Sequence, residues 1–250
     1  MMKKMDHLNI NDYLIGNRSF KNNHRIKNFK DFEKKFHANN SMYRFSNNES
    51  TYLYKDKDGL VGFLLVNDSW RCKSVKFKDE KALYFGSQQL NDGLRIFENN
   101  NTILNICLFH HSLENFEEKT IVEGILTRKN VELFLNGHFH STNTHIFYNP
   151  YGTCHGFRSR ATLFKPEEIM SEFQSGYQIL DIDLVDYKIT EIHYRKYNNK
   201  ETAKLFISDV ETAPENGIDR NKANHNTGFE LYRENRVKKQ HNFNKADFKS

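Results

Sequence analysis

Two histidines one residue apart close the decapeptide Val131-Glu132-Leu133-Phe134-Leu135-Asn136-Gly137-His138-Phe139-His140. A second pair, His110 and His111, follows another apolar run, Ile103-Leu104-Asn105-Ile106-Cys107-Leu108-Phe109. Neutral imidazoles are ligands for manganese, iron or zinc, and the amide oxygen of Asn17, after a third short apolar run, suits the same ions. An isolated His-x-His is a weak signal, because histidine is also an ordinary surface and core residue. Polar groups that follow three separate apolar runs are a stronger one. The candidate metal ligands are therefore Asn17, His110, His138 and His140. A structural zinc site would more often use cysteines, and Cys72, Cys107 and Cys154 are not placed to help.

These ligands need elements to carry them to one place. Residues 131–135 are too short and too rich in Val, Leu and Phe for a helix, which predicts a buried strand, and Gly137 is the expected point of a sharp turn beyond it. The run at 103–109 predicts a second buried strand. Between them, Ile121, Val122, Ile125 and Leu126 share one face of a helix expected over Glu114 to Lys129, with Glu117 and Glu118 near its start and Arg128 and Lys129 at its end, complementing the dipole. A strand, helix and strand in one sheet leave the strands parallel and put both histidine loops at the same edge. Ligands sit past the strand ends of open α/β sheets.

The remaining segments are assigned more briefly. Asp12 to Ile15 is expected to be a strand, ended by Gly16-Asn17-Arg18-Ser19. Ile26, Phe29, Phe32 and Phe36 form one helical stripe whose expected role is to cover a sheet. Residues 51–54 and 60–66 predict a hairpin around Asp56-Lys57-Asp58-Gly59, and Asn67-Asp68-Ser69-Trp70 beyond it is given no role. Ser87 is the expected N-cap of a helix with Leu90, Leu94 and Phe97 on its apolar face. His145 is read as a strand residue rather than a ligand. His155, Arg158 and Arg160 are read as solvated loop residues, with contact to a substrate phosphate as the alternative. Residues 177–184 and 187–194 predict a second hairpin, with Asp181, Asp183, Glu191 and His193 facing mostly solvent.

Composition narrows the function classes. In 250 residues, 37 basic side chains are interleaved with 32 acidic ones for a net charge of +5, which permits an anionic substrate and supports a nucleic-acid partner only weakly. Three widely spaced cysteines without C-x-x-C argue against a disulfide framework and for a reducing compartment. No segment approaches the roughly 18 apolar residues of a membrane span, so no membrane partner and a cytoplasmic location are expected.

Gly16-Asn17, then Phe109-His110-His111 after an apolar strand, then Asn136-Gly137-His138-Phe139-His140 resemble the last three of the five motifs of the calcineurin-like metallophosphoesterases. The segment with Gln89-Leu90 and the later hairpin are similar to that family too, so the resemblance covers roughly residues 8 to 197. It implies an α/β fold, a sandwich of two mixed β-sheets flanked by helices. It also implies a two-metal hydrolase acting on a phosphate ester, with Asn17, His110, His138 and His140 as metal ligands and water activated for in-line attack on phosphorus.

Three departures from the family pattern bear on activity. Its first two motifs, Asp-x-His and Gly-Asp-x-x-Asp, belong upstream of Gly16, where Asp6 and Asp12 have neither the spacing nor a preceding strand. The expected fold therefore lacks its first strands. Arg18 stands where the family has the histidine of Gly-Asn-His, and a guanidinium can stabilise phosphate charge but cannot donate a proton at neutral pH. Ser112 replaces a proline. The expectation is a partial phosphoesterase domain over residues 1–197, truncated or degenerate and poorly active alone, with 198–250 a polar tail or the start of a further domain. The alternative is a non-catalytic binding or regulatory module derived from the same fold.

Overall fold

The computed structural model describes residues 7–16, 26–69, 83–138, 143–149, 152–160, 175–198, 207–210, 213 and 215–222. Helices α1 (His7–Gly16) and α2 (Lys27–Phe36) precede strands β1 (Tyr43–Arg44), β2 (Ser50–Lys55) and β3 (Leu60–Leu65). Helix α3 (Gln88–Asn99) leads to β4 (Leu104–Leu108), and a 3-10 turn at Leu113–Asn115 and helix α4 (Lys119–Arg128) lead to β5 (Leu133–Asn136). Strands β6 (Asn143–Asn149), β7 (Gly152–Arg158), β8 (Gly176–Asp183), β9 (Lys188–Asn198), β10 (Ile207–Ser208) and β11 (Ile218–Lys222) complete the order.

Among the described residues the strands form two sheets. The larger is mixed, in the order β1-β2-β3-β4-β5-β7-β6, with β3, β4, β5 and β7 mutually parallel. The expected strand, helix and strand over 103–135 is observed, as are both hairpins, β2 with β3 and β8 with β9. The smaller sheet, β10-β9-β11 with β8 also on β9, pairs antiparallel throughout, where a second mixed sheet was expected. Residues 207–208 and 218–222, within the stretch expected to be a polar tail or the start of a further domain, add strands to it.

Apolar faces fix the layers. Leu90, Leu94 and Phe97 of α3 and Val122, Ile125 and Leu126 of α4 pack on one face of the mixed sheet with Leu64, Cys107, Phe134 and Cys154. Val61, Leu104, Ile106, Leu133 and Phe157 on the other face meet Ile189, Ile192, Leu180 and Ile182 of the smaller sheet. The parallel strands β3, β4, β5 and β7 are thus covered on both sides, which is why their runs read as continuous rather than alternating. No helix among the described residues is long and apolar enough to cross a membrane.

Two elements near the N-terminus differ from expectation. Asp12 to Ile15 lies in helix α1, because the residues that bury are Ile10 and Leu14, four apart, with Tyr84 packed beside them. That spacing is helical, and a four-residue window starting at Asp12 cannot show it. Helix α1 also supplies what the N-terminus of α3 needs: Asn11 Oδ1 accepts from the amide of Gln88 at 3.0 Å, while Ser87, the expected cap, makes no side-chain capping bond. Glu118, expected to act on its own helix dipole, is buried and accepts from the amides of Phe85 and Gly86.

Helix α2 forms where expected but turns the other way. Phe29, Phe32 and Phe36 are 62 %, 59 % and 70 % exposed, and the buried residues are Lys30 and Glu33. Lys30 Nζ lies 2.9 Å from a Glu33 oxygen, and Ser50 and Tyr43 hydroxyls donate to the same carboxylate. A polar network, rather than the aromatic stripe, attaches this helix to β1 and β2. Phe32→Ser should therefore change unfolding stability by less than about 0.5 kcal/mol in a denaturant titration, as for surface substitutions generally. A loss above about 2 kcal/mol would mean that the aromatic face is covered in solution.

Candidate metal centre

Three parallel strands deliver the candidate site. Asp68 lies just past β3, His110 and His111 just past β4, and His138 just past β5, all at one sheet edge. The ladder continues beyond the strands. The amide of Val66 donates to Leu108, that of Phe109 to Leu135 and that of Gly137 to His110, at 2.9, 3.2 and 3.1 Å. The histidine loops are therefore tied to one another through the backbone before their side chains meet.

His138 Nδ1 lies 3.2 Å from His110 Nε2, with the rings edge to face. His111 joins them, its ring centroid 4.5 Å from that of His138, and the three imidazoles can offer ligand atoms within 4.8 Å of one another. Two nitrogens 3.2 Å apart match an edge of a tetrahedron around an ion with metal–nitrogen distances of about 2.0–2.1 Å. Burial, and then the neighbouring His111, pull the His110 pKa below its ordinary value against the opposing charge of Asp68. This favours the neutral imidazole a metal requires.

The turn that makes the meeting possible is not where expected. Gly137 lacks a positive φ, whereas His138 has φ +70°. A Cβ at residue 137 would meet only His110 atoms, at an ordinary 3.9 Å. His138 itself takes the left-handed conformation, which costs a non-glycine residue about 1–2 kcal/mol and recurs at functional sites.

Asp68, for which the sequence alone indicates no role, supports the cluster. It is buried, and its Oδ2 accepts from the amides of His110 at 2.9 Å and His111 at 2.6 Å while lying 3.2 Å from His111 Nδ1. A carboxylate so placed fixes the loop and orients the imidazole beyond it. The available signal was an acidic residue ending an apolar strand parallel to the histidine strands. Asp68→Ala should cost about 1–3 kcal/mol of stability by stranding two amides, and Asp68→Asn, which keeps one acceptor oxygen, should cost less. Equal losses in urea unfolding would show that the charge, not the acceptor, holds the loop.

Asn17 and His140 lie outside the described residues. Arg158 and Arg160 fall at the end of β7, on the same edge as the histidines, and both are partly buried rather than solvated. His155, expected in a solvated loop, is buried within β7 opposite Leu133. The position of His145 on β6 is as expected. Among the described residues two buried amide atoms at the histidine edge, Asn67 Nδ2 and Asn136 Oδ1, have no hydrogen-bond partner, which suits a site that receives a further polar group or ion. Comparison with family models gives no match, and comparison with curated proteins gives none either.

Proposed function

We propose that this chain is a metal-dependent phosphoesterase-type domain of the calcineurin-like kind, a metallophosphoesterase-like sandwich, with Asn17, His110, His138 and His140 holding divalent manganese, iron or zinc. The observation that carries the reading is the 3.2 Å approach of His138 to His110, reached through a left-handed histidine at the edge where parallel strands end. Ions held there supply charge stabilisation to phosphoryl oxygens and make water a stronger nucleophile.

The chain's own residues do the rest. His110 and His138 would present nitrogen lone pairs to an ion, and Asp68 fixes the His110–His111 backbone so that little ordering remains when an ion arrives. Arg158 and Arg160 stand at the same edge, suited to an anionic phosphate ester. Arg18 can neutralise charge but not deliver the proton a leaving alkoxide needs. Asp68, with Oδ2 already bonded to two amides, is a poor bridging ligand, which favours the second reading, a module that binds without turnover.

Manganese-dependent hydrolysis of an aryl phosphate by the full chain separates the two. Weak turnover lost in His138→Ala supports the hydrolase. Manganese retention without turnover supports the binding module, and turnover that survives His138→Ala contradicts both.

A further inference from the structure

We propose a second metal site on the outer face of the antiparallel sheet, formed by Asp181, Glu191 and His193 and suited to zinc. Asp181 and Glu191 are register partners on β8 and β9, and His193 follows two residues later on the same face of β9. Leu180, Ile182 and Ile192, the alternate residues, pack inward against the mixed sheet. The three polar side chains therefore share the solvent side, and β9, which carries two of them, is paired on one side to β8 and on the other to β11.

The geometry is that of ligands. His193 Nε2 lies 3.0 Å from Asp181 Oδ2 and 3.3 Å from Glu191 Oε2, and one ligand atom from each residue falls within 4.8 Å of the others. With metal–ligand distances of about 2.0–2.2 Å, the edges of a tetrahedral zinc site measure about 3.3–3.6 Å, so two of its three protein edges are already nearly formed.

The charges point the same way. Two carboxylates directly opposite on antiparallel strands are a destabilising pair. Both converge here on one imidazole nitrogen, which carries at most one hydrogen and cannot satisfy two acceptors at full strength. A divalent ion removes both faults, and one imidazole with two carboxylates binds zinc more tightly than manganese or iron. The fourth position would face solvent, because the Asp181 side chain is 52 % exposed. On the neighbouring strand, Arg220 and Lys222 take the register positions opposite His193 and Glu191.

The test is zinc uptake by the full chain, read by elemental mass spectrometry after equilibrium dialysis and by the visible spectrum with cobalt in place of zinc. The parent should bind one more equivalent than His193→Ala and than the Asp181→Asn, Glu191→Gln double variant. A His110→Ala, His138→Ala variant should keep that equivalent and its tetrahedral cobalt bands. Losing one ligand should weaken zinc by more than the roughly 10- to 100-fold typical of outer partners. Unchanged zinc in His193→Ala, or uptake only at millimolar zinc, would overturn the proposal. Should His193→Ala not fold, Asp181→Asn, at a half-exposed position, carries the same test.

Discussion

Phe134→Ala is expected to destabilise the chain by about 3–5 kcal/mol, the range for removing a buried aromatic ring from a core that cannot collapse. The ring is 2 % exposed and stacks on Phe109 at 5.4 Å with the planes 11° apart. Its register partner on β7 is Gly156, and a Cβ there would lie 1.9 Å from Phe134 Cζ, so the ring occupies the space a side chain would need. Gly156 has no side chain to fill the hole. Phe109 directly precedes His110, and Phe134 lies on the strand that leads to His138, so the stack ties together the two strands that carry the imidazoles. The loss of stability, read from urea unfolding, should come with weaker metal uptake in whatever fraction stays folded. A cost below about 1 kcal/mol would mean that the stack does not exist.

The second large effect is expected at Lys30. Removing one member of a buried ion pair leaves the other charge uncompensated and typically costs about 3–5 kcal/mol. Lys30→Ala should fall at the low end, because Tyr43 and Ser50 still donate to Glu33. The pair also sets an acid limit. Burial pushes the Glu33 pKa up, but hydrogen bonds from Ser50, Tyr43 and Lys30 outweigh it and hold the carboxyl below its ordinary value. The unfolded chain then binds the proton more readily, so the contribution of Glu33 is complete above about pH 4.3 and is lost as pH falls through the lower folded value. Glu33→Gln should flatten that part of the stability curve. An unchanged acid limb in Glu33→Gln would show that other carboxylates set it.

Much of the fold was legible because burial on both faces writes itself as unbroken apolar runs. The strands at 103–109 and 131–135, the helix between them and both hairpins could be placed from run length and turn residues alone, and the shared edge for His110 and His138 followed from parallel connection. Helix α1 was missed because its buried pair, Ile10 and Leu14, is sparse and spaced by four. The orientation of α2 was missed for a different reason. Hydrophobic periodicity assumes that apolar side chains face inward, whereas here Lys30, Glu33, Ser50 and Tyr43 satisfy one another in the interior and leave the phenylalanines outside.

At the candidate site, residue type located the imidazoles but not their support. Asp68 acts through contacts 42 and 43 residues away in sequence, which no local pattern encodes. His111 is a member of the cluster although only its neighbour was named a ligand, because which of two adjacent residues past a strand end faces its neighbours depends on the turn. The sharp turn expected at Gly137 on propensity falls at His138, while Gly137 stays in the ladder through its bond to His110.

The central claim is that these histidines hold a divalent ion. Manganese content should be measured by elemental mass spectrometry on the full chain after dialysis against Mn²⁺, beside a His138→Ala, His140→Ala double variant. Near-stoichiometric manganese in the parent and its loss in the double variant is the expected result. Equal manganese in both, or none in the parent, would contradict it.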